Sequence, residues 1–197
     1  MSRWVRFVLA AVGGGTFIAV GDHLFHVRTH VLTHFWHPRW DGQTLLVYPL
    51  FIGAAALMIA AATPLVRGCA RPAAVRLAVE AGAFYLAYWF TGQVGVRYPG
   101  WCVVVLLATF VGRLLLDDNP RAVLLVGIMI GIGGCLGEAA VSEMGLFRYV
   151  GRWLVPFWLL PLYLHGAPAV VGLTRVVDLA GVDDAVVPAD AAQAVPA

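Results

Sequence analysis

Lysine is absent from this sequence, and charge of either sign is scarce. All 13 basic residues are arginine, charged residues make up only 12% of the chain, and the formal net charge is +2. Without a lysine amine the chain cannot form a Schiff base, which excludes retinal or pyridoxal phosphate linked through lysine. So small and scattered a charge also provides no basic surface for nucleic acid, and no nucleic-acid partner is expected.

Cysteine is the next scarce residue. The chain has three, Cys69, Cys102 and Cys135. The number is odd and two of the three lie inside long apolar segments, so the sequence gives no disulfide framework. The fold must be held together by packing and hydrogen bonds.

Apolar residues are abundant, at 61% of the chain, and the mean hydropathy is +0.84. Crossing a hydrocarbon core takes roughly 20 apolar residues, and six such runs can be placed. They lie at about 4–24, 44–66, 77–96, 100–116, 122–142 and 153–176. The sequence predicts an all-α, polytopic membrane protein: a six-transmembrane-helix bundle over residues 1–178 and a flexible tail over residues 179–197.

The distribution of arginine predicts the orientation of this bundle. Eight arginines fall on the side that holds both chain termini, and five fall on the other side. Because arginine accumulates in cytoplasmic loops, both termini are expected in the cytoplasm. The basic, apolar start resembles a signal peptide, but it has no clear cleavage site, so we interpret it as a retained first helix.

Five of the six histidines lie in one short stretch, residues 22–37. They are His23, His26, His30, His34 and His37. On a regular helix they would share one face within an arc of about 80°, near the water boundary. We interpret them as the wet edge of the first helix. A transition-metal site at His26, His30 and His34 is the alternative, and a pH response is a third possibility because imidazoles titrate near neutrality.

Ionisable residues inside predicted spans are costly in lipid and tend to face the bundle interior. Glu80 stands one turn after Arg76, so a local ion pair is expected there. Glu138 has no local partner near the end of the fifth span. It is either a polar anchor within the bundle or a side chain that reaches back to the interface.

Three spans have features that predict an apolar cavity. The third is rich in aromatic residues, the fifth has glycines at four-residue spacing, and the sixth contains three prolines that kink it. An empty crevice would forfeit contacts on every wall, so we expect a lipid to fill it. The expected lining residues are Phe84, Tyr88, Trp89, Gly131, Gly134, Glu138, Trp158 and Tyr163.

Four ordered segments resemble the Insig family of six-span membrane proteins. They are LFHVRTHVLTHFWHP, LLLDDNPRAVLLVGI, GLFRYVGRW and WLLPLYLHGAPAVVGLTR. The resemblance implies a six-span bundle that binds oxysterols and regulates sterol synthesis by retaining Scap and helping to degrade HMG-CoA reductase. It also implies that Asp117, which matches the aspartate opening the family's loop between spans four and five, binds a membrane-protein partner.

The departures from the family limit what this resemblance carries over. Asp118, Asn119 and Pro120 replace a more basic, serine-containing turn, and the lysines that the family uses for ubiquitination have no counterpart. An arginine-only, alanine-rich composition indicates a GC-rich bacterial genome, where Scap would be missing. We therefore expect a bacterial plasma membrane protein, or an endoplasmic reticulum protein if the source is eukaryotic.

The predicted function is a non-enzymatic, Insig-like lipid-binding or sensor protein that holds a sterol or a diacylglycerol-like lipid. No cofactor other than the bound lipid is expected, and the chain is expected to form a homo-oligomer, a dimer or a trimer. A histidine-rich, metal-dependent membrane enzyme acting on lipids is one alternative. A small transporter is the other, although the two halves of the chain show no convincing repeat.

Overall fold

The computed structural model describes residues 1–39, 41–151 and 154–178, so the predicted tail over residues 179–197 lies outside the described residues. These residues form seven α-helices: α1 (Arg3–Asp22), α2 (Val47–Ala62), α3 (Ala74–Val94), α4 (Pro99–Leu115), α5 (Pro120–Glu143), α6 (Leu159–Leu164) and α7 (Ala167–Val177). A π-helical segment, His23–Val27, extends α1. With α6 and α7 taken as one broken helix, the described residues make six helical passes.

Three of these helical stretches are long and apolar enough to cross a membrane: Arg3–Val27, Pro120–Glu143 and Leu159–Val177. The apolar helices α2 and α4 are shorter, and α3 carries Arg76 and Glu80 in its first two turns. The predicted fold class, a helical membrane protein, is confirmed. The orientation with both termini in the cytoplasm stays a prediction.

In the described part of the chain, four short strands lie at one end of the bundle, which we call the strand-bearing end. β1 (Leu32–His34) pairs antiparallel with β4 (Phe147–Tyr149), and β2 (Pro38–Arg39) pairs with β3 (Gln43–Thr44). Strand β1 follows the first helix and β4 follows the fifth, so their pairing ties the two helices together at this end.

The expectation of one regular helix running to His37 is wrong. The α-helix ends at Asp22, the π-helical segment widens the next turn, and His30 and His37 adopt left-handed backbone conformations with φ of 59° and 44°. Between them, Leu32–His34 pair with β4. The five histidines therefore do not share a face, and His26 and His34 are buried rather than wet.

Two glycines set how closely the helices approach. A Cβ atom at Gly15 of α1 would lie 2.4 Å from the backbone N and Cα of Ile52 in α2. A Cβ atom at Gly92 of α3 would lie 2.1 Å from the carbonyl oxygen of Phe25 in the π-helical segment. Only glycine permits these backbone contacts, so α1 packs against both α2 and α3 without intervening side chains.

The buried apolar residues form two clusters. One, at the strand-bearing end, includes Val31, Tyr88 and Trp158. The other, toward the opposite end, where α1 begins and α7 ends, includes Val66 and Val126. Between and beside these clusters lie the polar side chains from which the candidate sites are built.

Candidate functional site

Glu138 of α5 is half-buried and connects three elements. The hydroxyl of Tyr163 in α6 donates to its Oε1 at 2.8 Å, and the hydroxyl of Tyr149 in β4 donates to its Oε2 at 3.2 Å. Burial, and then the charge of Glu138, raise the pKa of the Tyr149 phenol well above its usual range, so this hydroxyl stays a donor. Of the two expectations for Glu138, the polar anchor describes this arrangement.

Gly134, one turn before Glu138, makes the contact with Tyr163 possible. A Cβ atom there would lie 2.7 Å from the Tyr163 ring. The ring therefore rests directly on the backbone of α5 and its hydroxyl reaches the carboxylate. Gly131, a further turn earlier, faces Leu160 and Leu164, where an added Cβ atom would make ordinary contacts at 3.6 Å.

The aromatic residues expected to line a cavity mostly pack on one another. The Phe84 and Tyr88 rings meet edge to face, with centroids 5.4 Å apart. The His26 ring lies between Tyr88, at 4.6 Å, and Trp158, at 5.3 Å. Trp89 is 46% exposed and stands apart from this group. Side-chain contacts thus occupy the region between α3 and α6 where the hollow was expected.

Two cavities lie elsewhere. One, of about 70 Å³, is bounded by Gly95, Tyr149 and Trp158 at the strand-bearing end and has room only for water-sized molecules. The other, of about 300 Å³, is at the opposite end, where Arg76 and Asp117 are among its walls. This second cavity is as large as the smaller ligand pockets of proteins.

The histidine stretch gives a second buried polar cluster. Asp22 Oδ1 lies 3.5 Å from Nδ1 of His26, and Asp22 Oδ2 lies 3.8 Å from Nε2 of His34. On the other side of its ring, His26 Nε2 is 2.9 Å from the Thr91 hydroxyl oxygen. The predicted third histidine, His30, is exposed and turns away. The third member of the cluster is Asp22 instead. Its spacing of four residues from His26 is the sequence signal that could have predicted their contact.

The alternative of a transition-metal site in this stretch stays a prediction. Within the described residues, no group of three or more histidine, cysteine or acidic side chains is arranged to hold a metal ion. Thr91 is fully buried, so its hydroxyl is not accessible to a substrate despite its contact with an imidazole.

At the end opposite the strands, Asp117 stabilises the loop between α4 and α5. Its carboxylate accepts from Arg76 Nη2 at 3.0 Å and from the backbone N–H of Asn119 at 2.7 Å, and Arg76 also pairs with Asp118. The expected pair between Arg76 and Glu80 is wrong, because Arg76 reaches across to this loop instead. The side chain of Asp117 is only 9% exposed. A protein partner would therefore contact the surface of the loop and not the Asp117 side chain itself.

Replacing Arg76 by methionine should free this loop. Asp117 and Asp118 would lose their shared cation, and we expect hydrogen exchange of the Asn119 amide to become at least about tenfold faster through local opening. Exchange followed by mass spectrometry would measure this. Arg121→Met, which removes an exposed arginine just after the loop, is the matched control and should leave the rate unchanged.

Arg113 lies in a further polar network, at the break between α6 and α7. It pairs with Glu80 and donates through Nη1 to the carbonyl oxygen of His165 at 3.1 Å and to His165 Nδ1 at 2.8 Å. The other ring nitrogen, Nε2, donates to the Leu106 carbonyl at 2.9 Å. One arginine thereby joins α3, α4 and the broken last helix.

No family model and no curated protein matches the sequence. The fold is similar to two solved structures of a mycobacterial Insig homolog, MvINS from Mycobacterium vanbaalenii. One matches at a TM-score of 0.69 and 21% identity, covering 87% of this chain and 92% of that one. The other, a cross-linked trimer of a MvINS variant, matches at 0.71 and 20%, covering 88% and 94%. The resemblance found in the sequence is confirmed at the level of structure: this chain has the fold of a bacterial Insig homolog.

Proposed function

We propose that this protein is a non-enzymatic membrane protein that binds one neutral lipid, a sterol or a diacylglycerol-like molecule, with Glu138 as the polar anchor. The observation that carries the proposal is the half-buried carboxylate on an otherwise apolar span. Such a group is expensive beside hydrocarbon and marks a functional position in membrane helices. The Insig-like fold supports a role of this kind.

The hydrogen-bonding capacity of Glu138 supports a lipid with a hydroxyl group. A carboxylate can accept about four hydrogen bonds, and the two tyrosine hydroxyls provide two of them. A lipid hydroxyl can donate to a remaining acceptor position, and a small head group needs no other partner. The carboxylate would then hold the head group while the lipid tails follow the helix.

The surface beside Glu138 can accept the apolar part of such a lipid. Cβ atoms built at Gly133 and Gly137 would meet nothing within 4 Å, and Leu136 between them is 67% exposed. This open side of α5 therefore combines low side-chain bulk with an adjacent acceptor. We place the lipid along this side of α5 rather than in the packed region between Phe84 and Trp158.

Lipid extraction with native mass spectrometry of gently purified protein tests the proposal. We expect wild-type protein to retain about one neutral lipid per chain and Glu138→Leu to lose at least about 90% of it, since the hydroxyl loses its acceptor. Tyr163→Phe should give an intermediate loss. Glu143→Leu, at the exposed end of the same helix, is the matched control and should retain the lipid.

Two outcomes would count against lipid binding. Equal lipid content in the wild type and in Glu138→Leu would show that Glu138 does not bind the lipid. Wild-type protein that carries no lipid in a mild detergent would show that the protein does not bind one. Stoichiometric iron or zinc in the same preparation would instead support the alternative of a metal-dependent membrane enzyme.

We also propose that the chain forms a homo-oligomer, a trimer being the expected size because one of the similar MvINS structures is a cross-linked trimer. Exposed apolar side chains occur all along α4 and α5, so the bundle has ample surface for helix contacts within the bilayer. Light scattering of the detergent-purified protein, corrected for the micelle, distinguishes a monomer, a dimer and a trimer.

A further inference from the structure

Asp22, His26 and His34 meet at the strand-bearing end although they come from three different elements, α1, the π-helical segment and β1. All three residues are at most 6% exposed. The two contacts with the carboxylate, at 3.5 and 3.8 Å, are longer than ordinary hydrogen bonds. The nitrogen atoms that face it, His26 Nδ1 and His34 Nε2, have no hydrogen-bond partner.

We propose that these three residues form a proton-binding site that takes up one proton as the pH falls from about 8 to about 5, the range in which imidazoles titrate. With both imidazoles neutral, the cluster carries the single negative charge of Asp22. Burying a charge without close donors is costly. One added proton makes the cluster neutral overall and provides an N–H that points at the carboxylate.

Contacts on the far side of the His26 ring keep it aligned for this role. Its Nε2 is 2.9 Å from the Thr91 hydroxyl oxygen, and its face stacks on Tyr88 with ring centroids 4.6 Å apart. Because the ring is held on both sides, Nδ1 stays directed at Asp22. The arrangement resembles the way a second partner fixes the orientation of functional histidines in other proteins.

Among the described residues, the elements around the cluster supply no fixed cation that would replace the proton. Tyr88 from α3, Tyr149 from β4 and Glu138 from α5 interact electrostatically with Asp22. Tyr85 from α3 and His23 at the start of the π-helical segment are further titratable groups on the same elements. None of these is a permanent cation. The arginines of the adjoining segments, Arg28 and Arg148, are exposed, and within the described part of the chain Asp22 has ion pairs only with the two histidines.

Proton uptake would tighten the strand-bearing end. His26 precedes the left-handed turn at His30, and His34 belongs to the strand that pairs with β4. A proton shared with Asp22 therefore attaches the sheet to the end of α1. The inference is independent of lipid binding, because it concerns only residues of the chain itself.

Trp158 provides a local reporter, since its ring centroid is 5.3 Å from that of His26 and protonated imidazole quenches indole fluorescence at contact distance. The fluorescence of Trp158, called the Trp158 signal here, is obtained as the difference in fluorescence between each protein and the same protein with Trp158→Phe. We expect this signal to fall at least about twofold between pH 8 and pH 5 in the wild type. His26→Gln and Asp22→Asn should abolish the fall, and His30→Gln, at an exposed position, should retain it.

A Trp158 signal that does not change with pH in the wild type, or a fall that persists in His26→Gln, would overturn the proposal. Should a variant fail to fold, ¹³C-histidine NMR of the wild-type protein in micelles decides the question. Beside the signals of the exposed histidines, it should show a buried imidazole that is protected from solvent and yet titrates in the same range. If no protected imidazole titrates, there is no proton-binding site.

Discussion

Replacing Gly15 by alanine should destabilise the bundle by about 3 kcal/mol, at the upper end of the usual cost of overpacking. The added Cβ atom would lie 2.4 Å from two backbone atoms of Ile52. A side chain could rotate away from such a contact, but the backbone of α2 cannot. The two helices must therefore separate along their length, and the contacts on both sides of Gly15 are lost together.

The measurement is thermal unfolding in one detergent, with size-exclusion chromatography to check for aggregation. Gly13→Ala is the matched control, because a Cβ atom at Gly13 would meet nothing within 4 Å. This control should be neutral or slightly stabilising, since alanine favours a helix over glycine by about 1 kcal/mol. Equal melting temperatures for the two variants would show that α1 and α2 do not depend on the close approach.

Replacing Arg113 by methionine should cost about 2 kcal/mol, below the 3–5 kcal/mol typical of a broken buried ion pair because its side chain is 21% exposed. The change leaves the Glu80 carboxylate without its cation and the His165 carbonyl and Nδ1 without their donor. The break between α6 and α7 would then lose its tie to α3 and α4. Thermal unfolding again measures the loss.

A second substitution separates the charge effect from the packing effect. Adding Glu80→Gln to Arg113→Met removes the orphaned charge, so the double variant should be more stable than Arg113→Met alone. If Glu80→Gln lowers the stability of Arg113→Met by as much as it lowers that of the wild type, Arg113 and Glu80 are energetically independent and the network is not coupled. The single variant Glu80→Gln completes the cycle.

The helices could be predicted from the sequence because length and hydropathy are local properties. The close approach of another helix to the glycines of the fifth span and the irregular last helix were also predicted. Both predictions depend on residues within the helix itself, the glycine spacing and the prolines. The hydrogen bonding of Glu138 within the bundle could be predicted only as one of two alternatives, because its partners, Tyr149 and Tyr163, are on other elements.

The histidine stretch shows where local patterns are insufficient. A regular helix through His37 fits the spacing, yet pairing with β4 competes for the same backbone, and residues near the other end of the chain supply that partner. The left-handed conformations at His30 and His37 have no signature in their immediate neighbours. Likewise, Arg76 has Glu80 one turn away but pairs with Asp117, which the chain brings close only after α4 has formed.

The pairing of β1 with β4 also sets an order of events during biosynthesis. Leu32 is synthesised early, but its strand partner Tyr149 emerges from the ribosome only after five helical passes have been made. Until then the end of the first helix has no partner for its exposed backbone. A chain halted before β4 would therefore keep an unpaired strand at this end of the bundle, open to pairing with another chain.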